Sequence, residues 1–297
     1  MGMCLNKQGI ELAFDWHLTD TCNFDCVYCH PQIKAKKNHR LPLRLTTVQM
    51  IDVFNRLQKT CHILMSGGEP FLYPDFVNLC AGLTQNHYIT INTNFSAANV
   101  RQFALRIDPK RVLNISAAIH INERERLNLG TQDFVEKVIL FQRRGFDISV
   151  NYVLYPPLLT RFEQDRDLLV NLGVAQVSAK AFKGVYEGRL YPEGYSAEQM
   201  KKILSYRTLS GHTDEYLKGL MNLKGRLCEA GRKSFKVEVD GNVRRCATVK
   251  GDYGNLYDGT IRIDESPRPC PSPRALALSW CYKFLTNGDK QASATTH

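Results

Sequence analysis

Short apolar runs alternate with amphipathic stretches through the first two thirds of the chain. This alternation predicts repeated βα units, in which parallel strands form one sheet and helices cover it. Six such units favour an open or partial barrel over a closed barrel of eight units. We therefore predict an α/β fold, a partial (β/α)6 TIM-like barrel. The predicted strands cover residues 11–18, 62–66, 88–93, 112–121, 147–155 and 175–182, and the predicted helices cover residues 46–58, 75–85, 97–107, 131–144 and 160–172.

Two residues mark the ends of the predicted helix 131–144. The Thr131 hydroxyl is placed to cap the first turn, and Gly145 follows the basic last turn "RRG". Both signals support a helix over this stretch.

The pattern changes after about residue 183, where Gly and Tyr become frequent and a helix is predicted over residues 196–206. The stretch "SFKVEVDGNVRRCATV" then predicts a β-hairpin, because two alternating runs meet at Asp240 and Gly241, a dipeptide favoured in tight turns. We expect residues 1–207 to form the barrel and residues 208–285 a small C-terminal cysteine-rich β-hairpin module. The polar tail, residues 286–297, is predicted to be disordered.

Charge and hydropathy limit the partners of the chain. The net charge is +10, and basic residues concentrate at positions 34–40. That segment is either a solvated loop or a rim that attracts an anionic substrate, such as a phosphate ester or an acidic peptide. No aromatic-interleaved basic motif indicates nucleic-acid binding. No apolar run reaches membrane-spanning length, and the start "MGMCLNKQGI" lacks a signal-peptide core, so a cytoplasmic location is expected.

Ten cysteines in a reducing compartment indicate metal or redox chemistry rather than a disulfide framework. Cys22, Cys26 and Cys29 have the spacing C-x3-C-x2-C. This spacing could also place the three on one face of a buried helix, but the stretch follows a strand and contains Asn and Asp. Thiolates this close favour one metal centre, and three ligands leave one position of a four-iron cluster open. Cys61 and Cys80 lie in apolar surroundings and are predicted to be small core residues.

These residues resemble the radical S-adenosylmethionine (SAM) superfamily. In that family C-x3-C-x2-C holds a [4Fe–4S] cluster whose fourth iron chelates the amino and carboxylate groups of SAM. The resemblance implies that Tyr28, before the third cysteine, lies against the adenine. A second signature, "SGGEP", ends the second strand at residues 66–70. Its Gly67, Gly68 and Glu69 are expected to receive the methionine amino group, since glycines allow close backbone approach and the glutamate is a negative partner for the ammonium.

Three further contacts follow from the same resemblance. "TINTNF" ends the third strand and nominates Thr93 and Asn94, while Ser116 in "LNISAAIH" matches a position that often binds the ribose. For all three the alternative is a polar side chain that simply caps a strand end. His120 and Arg126 follow the fourth strand and are considered as pocket groups without an assigned role.

The later cysteines resemble the shortened auxiliary-cluster module of this superfamily, the twitch domain. The core of that module is a cysteine followed, after an intervening span, by Gly-x4-Cys on a hairpin. Here Cys228 is followed by Gly241 to Cys246, which has this spacing. Cys270 and Cys281 would complete a second [4Fe–4S] cluster, although ten residues separate them where some relatives have a tight pair. Zinc bound by the same four cysteines stays open as the alternative.

The resemblance implies reductive cleavage of SAM to a 5′-deoxyadenosyl radical that abstracts a substrate hydrogen. The expected partners are a small-molecule or peptide substrate and an electron donor such as flavodoxin or ferredoxin. The hypothesis we favour is oxidation of a small polar molecule in a biosynthetic pathway. The alternatives are radical modification of a ribosomally made peptide, by cross-linking or epimerisation, and a non-catalytic cysteine-rich metal-binding protein.

Overall fold

A computed structural model describes residues 8–29, 44–206 and 222–273 of the chain. Its centre is an eight-stranded sheet in the order β11-β10-β1-β2-β3-β4-β5-β6, in which all pairs except β10 with β11 are parallel. The six strands predicted from the alternation occur in the predicted order, so the α/β partial-barrel prediction is confirmed. The strands of this sheet are β1 Leu12–Thr19, β2 Cys61–Gly67, β3 Tyr88–Thr93, β4 Val112–Ala118, β5 Ile148–Leu154, β6 Val177–Ala181, β10 Ser234–Val237 and β11 Val243–Arg244.

Helices follow the strands of the barrel, and all but the six-residue helix Ile121–Arg126 were predicted. They are α1 Thr47–Asn55, α2 Phe76–Asn86, α3 Val100–Arg106, α4 Ile121–Arg126, α5 Gln132–Arg143, α6 Phe162–Asn171 and α7 Ala197–Ser205. Short 3₁₀ turns cover Pro70–Leu72, Pro109–Arg111 and Pro156–Leu158. Two further pairs of strands lie outside the main sheet, β7 Gly184–Tyr186 with β8 Arg189–Tyr191, and β9 Leu227–Cys228 with β12 Arg268–Pro269.

The two faces of the sheet differ in chemistry. One face carries apolar side chains such as Phe14 and Trp16, which pack on Phe54 of α1 at ring distances of 5.5 and 5.3 Å. The strand register places polar side chains together on the other face, which lines the interior of a partial barrel. We call this the polar face of the sheet, defined by Asp15, Asn92, Ser116, Asn151 and Lys180.

Of the two predictions about the ends of α5, the one at its start is wrong and the one at its end is confirmed. Thr131 does precede α5, but its side chain makes no capping hydrogen bond, so the predicted cap is wrong. Gly145 follows the helix with φ of +84°, a left-handed conformation that suits glycine, as predicted. The predicted strand 112–121 was too long, because His120 turns left-handed with φ of 45° and Ile121 begins α4.

The C-terminal hairpin joins the barrel sheet. Its first strand, β10, pairs with β1, and Phe235 stacks on Phe14 with ring centroids 5.6 Å apart. Trp16 donates to the Tyr257 hydroxyl at 3.0 Å across the same seam. The hairpin itself was predicted, but its attachment was not.

The boundary proposed between residues 207 and 208 and the tail 286–297 lie outside the described residues, and the division into domains stays a prediction. Among the residues that the structure describes, none of the helices has the length and apolar character needed to cross a membrane.

Candidate metal and cofactor site

The residues nominated around the first cysteine set meet where the parallel strands end. The loop 20–29 follows β1. Gly67 is the last residue of β2 and Gly68 follows it, while Thr93 is the last residue of β3. The carboxyl ends of parallel strands share one edge of the sheet, and barrel active sites lie at this edge. The structure therefore brings together in space the two signatures that are about forty residues apart in sequence.

Cys22, Cys26 and Cys29 lie on a turn-rich loop, and residues 20–29 contain no helix, so the buried helical stripe is excluded. The Cys29 amide donates to the Cys26 carbonyl at 3.0 Å and closes a tight turn between two of the thiols. Burial raises the pKa of the Cys26 thiol, and the charges of Glu123, Cys22 and Cys29 raise it further. The three thiols are therefore close enough to repel one another as thiolates, a repulsion that a bound cationic centre removes.

The donor set is compatible with an iron–sulfur cluster, whose irons are held by cysteine thiolates. Within residues 8–29, 44–206 and 222–273, no three His, Cys, Asp or Glu side chains stand close enough together to hold one metal ion. In an iron–sulfur cluster each thiolate binds a different iron, so its ligands stand farther apart than those of one ion. Three thiols on one loop supply one ligand each for three of the four irons.

Gly67 and Gly68 are required by the chain that enters the cysteine loop. A Cβ on Gly67 would lie 2.3 Å from the Thr19 carbonyl oxygen, and one on Gly68 would lie 2.1 Å from the Thr21 carbonyl oxygen. The Gly68 and Glu69 amides donate to those same two oxygens at 2.7 and 2.8 Å. The close approach that we predicted toward a ligand is thus, in this structure, an approach to the chain's own backbone.

Glu69 is fully buried, and its carboxylate accepts three hydrogen bonds. The donors are the Phe71 amide at 3.1 Å, the Thr93 hydroxyl at 2.6 Å and the Asn94 amide at 2.6 Å. Burial raises the pKa of this carboxyl to about 7, against the opposing effects of these donors and of the Arg124 charge. Because two of the donors, Thr93 and Asn94, lie at the end of β3, the Glu69 carboxylate fixes the end of this strand beside the cysteine loop.

Asn94 connects that carboxylate to the first cysteine. Its side-chain amide donates to the Asn23 oxygen at 2.9 Å and lies 3.9 Å from the Cys22 sulfur. Its carbonyl accepts from Arg124 at 2.7 Å. Asn94 thus carries contacts from β3 and α4 to the residue that bears the first thiol.

Arg124 is a functional-site residue that the sequence did not reveal. It is 1% exposed, donates from Nε to the Ile119 carbonyl at 2.8 Å, and stands over the Phe134 ring at 4.6 Å. Burial lowers the pKa of its guanidinium to about 10, which leaves it charged at neutral pH. The charged run "NERER" gave no sign that its middle arginine points inward, because the helix is too short to show a periodicity.

Tyr28 is held by residues at the ends of β4 and β5. Its ring stacks on His120 at 5.6 Å and lies 5.2 Å from the Tyr155 ring, and its hydroxyl donates to the Asn122 oxygen at 2.7 Å. Burial, with the nearby Arg124 charge, lowers the pKa of His120 to about 4, so this ring is neutral at pH 7. The Tyr28 ring therefore packs in an aromatic wall at the edge of the site.

Glu123 steadies the loop from the other side. Its carboxylate accepts from the Asp25 amide at 2.7 Å and from Arg126 at 2.7 Å. Arg126 is half exposed and is committed to this carboxylate. It therefore acts on the cysteine loop through Glu123.

Ser116 lies on the polar face of the sheet and accepts from the Asn151 side-chain amide at 2.7 Å. The same face carries Lys180, the penultimate residue of β6, which sequence analysis missed. The residue is exposed, but partial burial of the amine by the surrounding protein lowers its pKa. In the part of the chain that the structure describes, no carboxylate lies within salt-bridge distance of Lys180.

Three cysteines of the second set also come together. Cys228 ends β9, Cys270 follows its partner strand β12, and Cys246 follows β11. Burial raises the pKa of Cys228, on which the charges of Cys270 and Cys246 also act, and the Val249 amide donates to the Cys246 sulfur at 3.2 Å. Cys281 lies outside the described residues. Cys61 and Cys80 are fully buried core residues, as predicted.

The chain is similar to known proteins in sequence and in fold. A family model described as the Radical SAM superfamily matches residues 16–169. "Probable GTP 3',8-cyclase" of Saccharolobus islandicus is 22% identical over 264 residues, which cover 81% of this chain and 84% of that protein. "Mycofactocin maturase MftC" of Mycobacterium tuberculosis is 27% identical over 151 residues, 48% of this chain and 34% of that one.

Solved structures share the fold. "Native anSMEcpe with bound AdoMet" superposes with a TM-score of 0.58 at 17% identity, over 83% of this chain and 78% of that chain. Streptococcus suis SuiB gives a TM-score of 0.58 at 14% identity, over 88% of this chain and 68% of that chain. At such identities the likeness bears on the fold alone.

Proposed function

The chain belongs to the radical SAM superfamily, and from that premise we propose that it oxidises a small polar molecule in a biosynthetic pathway. It is an enzyme whose cofactors are a [4Fe–4S] cluster and SAM. When bound, the cluster supplies the electron that splits SAM into methionine and a 5′-deoxyadenosyl radical, which takes a hydrogen atom from the substrate. The protein's task is to place both molecules and to keep water away from the radical. Membership in this family removes the non-catalytic metal-binding alternative.

The observation that carries the proposal is the open cysteine set fixed at the carboxyl edge of the sheet. We assign Cys22, Cys26 and Cys29 as the cluster ligands, because the loop that bears them is fastened by Gly68, Glu69 and Asn94. A loop held at several points keeps its thiols in one arrangement. Three thiols also leave the fourth iron for SAM.

The remaining cofactor contacts stay proposals. Ser116, on the polar face of the sheet, and the Tyr28 ring remain our candidates for the ribose and the adenine. Gly67, Gly68 and Glu69 remain candidates for the methionine end through their backbone atoms, since the Glu69 carboxylate already accepts three hydrogen bonds. Thr93 and Asn94 act on the site through Glu69 and Cys22.

The polar face of the sheet supports a small polar substrate. Asn92 and Lys180 are exposed on it, and Asn151 and Ser116 already bond to each other. A lysine at the mouth of a barrel favours a substrate with a carboxylate or phosphate group. The basic segment 34–40, which would have the same effect, lies outside the described residues.

A peptide substrate is the second candidate. Val185 and Leu190 lie directly opposite each other on the β7–β8 hairpin, and they are 61% and 56% exposed. Tyr186 of the same hairpin packs on Tyr155, which adjoins the aromatic wall of Tyr28. An exposed apolar pair beside the site could hold an apolar side chain of a peptide.

For the second cysteine set we propose a second [4Fe–4S] cluster held by Cys228, Cys246, Cys270 and Cys281. It would accept the electron left on the substrate radical as the substrate loses a proton, which makes the net change a two-electron oxidation. The resemblance to the auxiliary-cluster module favours iron–sulfur over zinc bound by the same four cysteines. The first electron would come from a flavodoxin or ferredoxin, in a reducing cytoplasmic setting.

The test uses protein reconstituted anaerobically with iron, sulfide and reductant, then given SAM and one candidate substrate at a time. The substrates are matched pairs of small alcohols with and without a phosphate or carboxylate, together with short peptides. The proposal expects 5′-deoxyadenosine and oxidised product in equal amounts from an anionic small molecule. Product from peptides alone would move the assignment to the second candidate.

A further inference from the structure

We propose that Arg245 is a positioning residue of the second cysteine set: its guanidinium joins the segments that bear Cys228, Cys246 and Cys270 and so brings these three ligands together before metal binds. This inference rests on the second-cluster part of the proposed function. It does not depend on the substrate or on the reaction.

One guanidinium contacts both of the other cysteine segments. Arg245 donates from Nε to the Ala230 carbonyl at 3.0 Å, from Nη1 to the Pro269 carbonyl at 3.1 Å and from Nη2 to the Arg268 carbonyl at 2.7 Å. Ala230 comes two residues after Cys228, and Pro269 directly precedes Cys270. Arg245 itself directly precedes Cys246. All three segments therefore meet at one side chain.

The pairing between these segments is short without Arg245. Strands β9 and β12 have two residues each, and one of the four is Pro269, which has no amide hydrogen to donate. Three loop hydrogen bonds extend the contact: from the Leu223 amide to the Pro273 carbonyl at 3.0 Å, from the Gly225 amide to the Cys270 carbonyl at 2.8 Å and from the Cys270 amide to the Arg226 carbonyl at 2.9 Å. The planar guanidinium of Arg245 adds three hydrogen bonds in a fixed geometry, which the ammonium group of a lysine cannot reproduce.

The burial of Arg245 points to an anionic occupant. The residue is 7% exposed, and no carboxylate lies within salt-bridge distance of it among the residues described by the structure. A buried cation is costly unless a negative group is near. The Arg245 charge acts on the Cys228 thiol, and such a thiol carries negative charge once it binds metal. Arg245 therefore balances the charge of a thiolate-bound cluster as well as fixing its ligands.

The test compares full-length Arg245→Gln and Arg245→Lys with Arg262→Gln. Arg262 is a matched control in the same module, because its guanidinium is 66% exposed and pairs with Asp252 on the surface. Reconstituted wild-type protein is expected to hold about eight irons per chain. Arg245→Gln should hold about four while still forming 5′-deoxyadenosine within about twofold of wild type, which shows that the barrel is folded. Arg262→Gln should match wild type.

The lysine variant separates charge from geometry. Where Arg245→Lys keeps a second cluster, its midpoint potential in an electron paramagnetic resonance titration should stay near the wild-type value, because charge is retained. Its iron retention should fall between those of wild type and Arg245→Gln, because the fork is lost. Full iron content and an unchanged potential in Arg245→Gln would overturn the proposal.

Alkylation of the metal-free proteins gives an independent readout. Mass spectrometry should find Cys228 and Cys270 alkylated about tenfold faster in Arg245→Gln than in wild type, since the segments open more often. Equal rates would contradict a positioning role. If wild-type protein takes up only about four irons, the second-cluster proposal fails, and the alkylation result still decides the role of Arg245.

Discussion

Glu69 and Arg124, both fully buried, hold the same residue from two sides. The Glu69 carboxylate accepts from the Asn94 amide at 2.6 Å, and Arg124 donates to the Asn94 carbonyl at 2.7 Å. Between these contacts the Asn94 side chain reaches Asn23 and Cys22. The second signature of the family therefore acts on the first through Asn94 as well as through the direct backbone hydrogen bonds of Gly68 and Glu69. The buried Glu69 and Arg124 add to the contacts that position the cysteine loop.

The buried carboxyl of Glu69 predicts a pH dependence of stability. Its pKa in the fold is about 7, above the ordinary value of 4.5, so the folded state binds the proton more tightly than the unfolded state. The free energy of unfolding should therefore fall as pH rises from about 4.5 through about 7, by up to about 3 kcal/mol from this group.

The measurement is urea unfolding of metal-free protein at a series of pH values, with Glu69→Gln beside wild type. The difference between the two curves isolates Glu69, because the variant keeps every other titrating group. Parallel curves from pH 4.5 to 8 would contradict the buried, raised pKa.

Gly68→Ala should displace the cysteine loop. A Cβ at this position would lie 2.1 Å from the Thr21 carbonyl oxygen, so backbone must move. We expect a loss of about 1–3 kcal/mol in the free energy of unfolding and reduced iron uptake. Gly251→Ala is the control, since its nearest neighbour would lie at 3.4 Å. Equal iron uptake in the two variants would show that the close approach does not position the thiols.

Lys180→Met should separate substrate use from SAM cleavage. The lysine is the exposed cation of the polar face, so its loss should lower kcat/KM for an anionic substrate at least about tenfold. Cleavage of SAM without substrate should stay within about twofold. Lys201→Met, on an exposed position of α7, serves as the matched control. A parallel loss of SAM cleavage would assign Lys180 to the cofactor instead.

Cys246→Ala should spare SAM cleavage and stop product formation. The proposed second cluster accepts the electron of the substrate radical, and Cys246 is one of its ligands. Product is measured against 5′-deoxyadenosine, with Cys80→Ala as the control, because that thiol is buried in α2 away from both sets. Undiminished product formation in Cys246→Ala would rule out the electron-acceptor role.

The sequence predicted the six barrel strands because each is a short apolar run between amphipathic stretches. The resemblance assigned the two signatures to one cofactor, and they lie next to each other, since the Glu69 amide donates to the carbonyl of Thr21, the residue before Cys22. The sequence could not predict Arg124, whose six-residue helix carries no readable period. It could not place β10 beside β1 either, because pairing between distant segments leaves no local pattern.

The contacts of Glu69 could not be predicted from the sequence either. A carboxylate in a glycine-rich turn is compatible with an ammonium ligand and with backbone donors alike. Only the positions of Thr93 and Asn94 in space decide that backbone and hydroxyl donors occupy it here. Motifs identify which residues matter, and the fold determines what they contact.

The central claim is that Cys22, Cys26 and Cys29 hold the cluster that cleaves SAM. Its most direct test is 5′-deoxyadenosine formation by anaerobically reconstituted protein, measured by chromatography for wild type and for the triple alanine variant at these positions. The account predicts 5′-deoxyadenosine from wild type, none above background from the variant, and a loss of about four irons per chain. Wild-type protein that binds only zinc and forms no 5′-deoxyadenosine, or a variant that still forms it, would contradict the account.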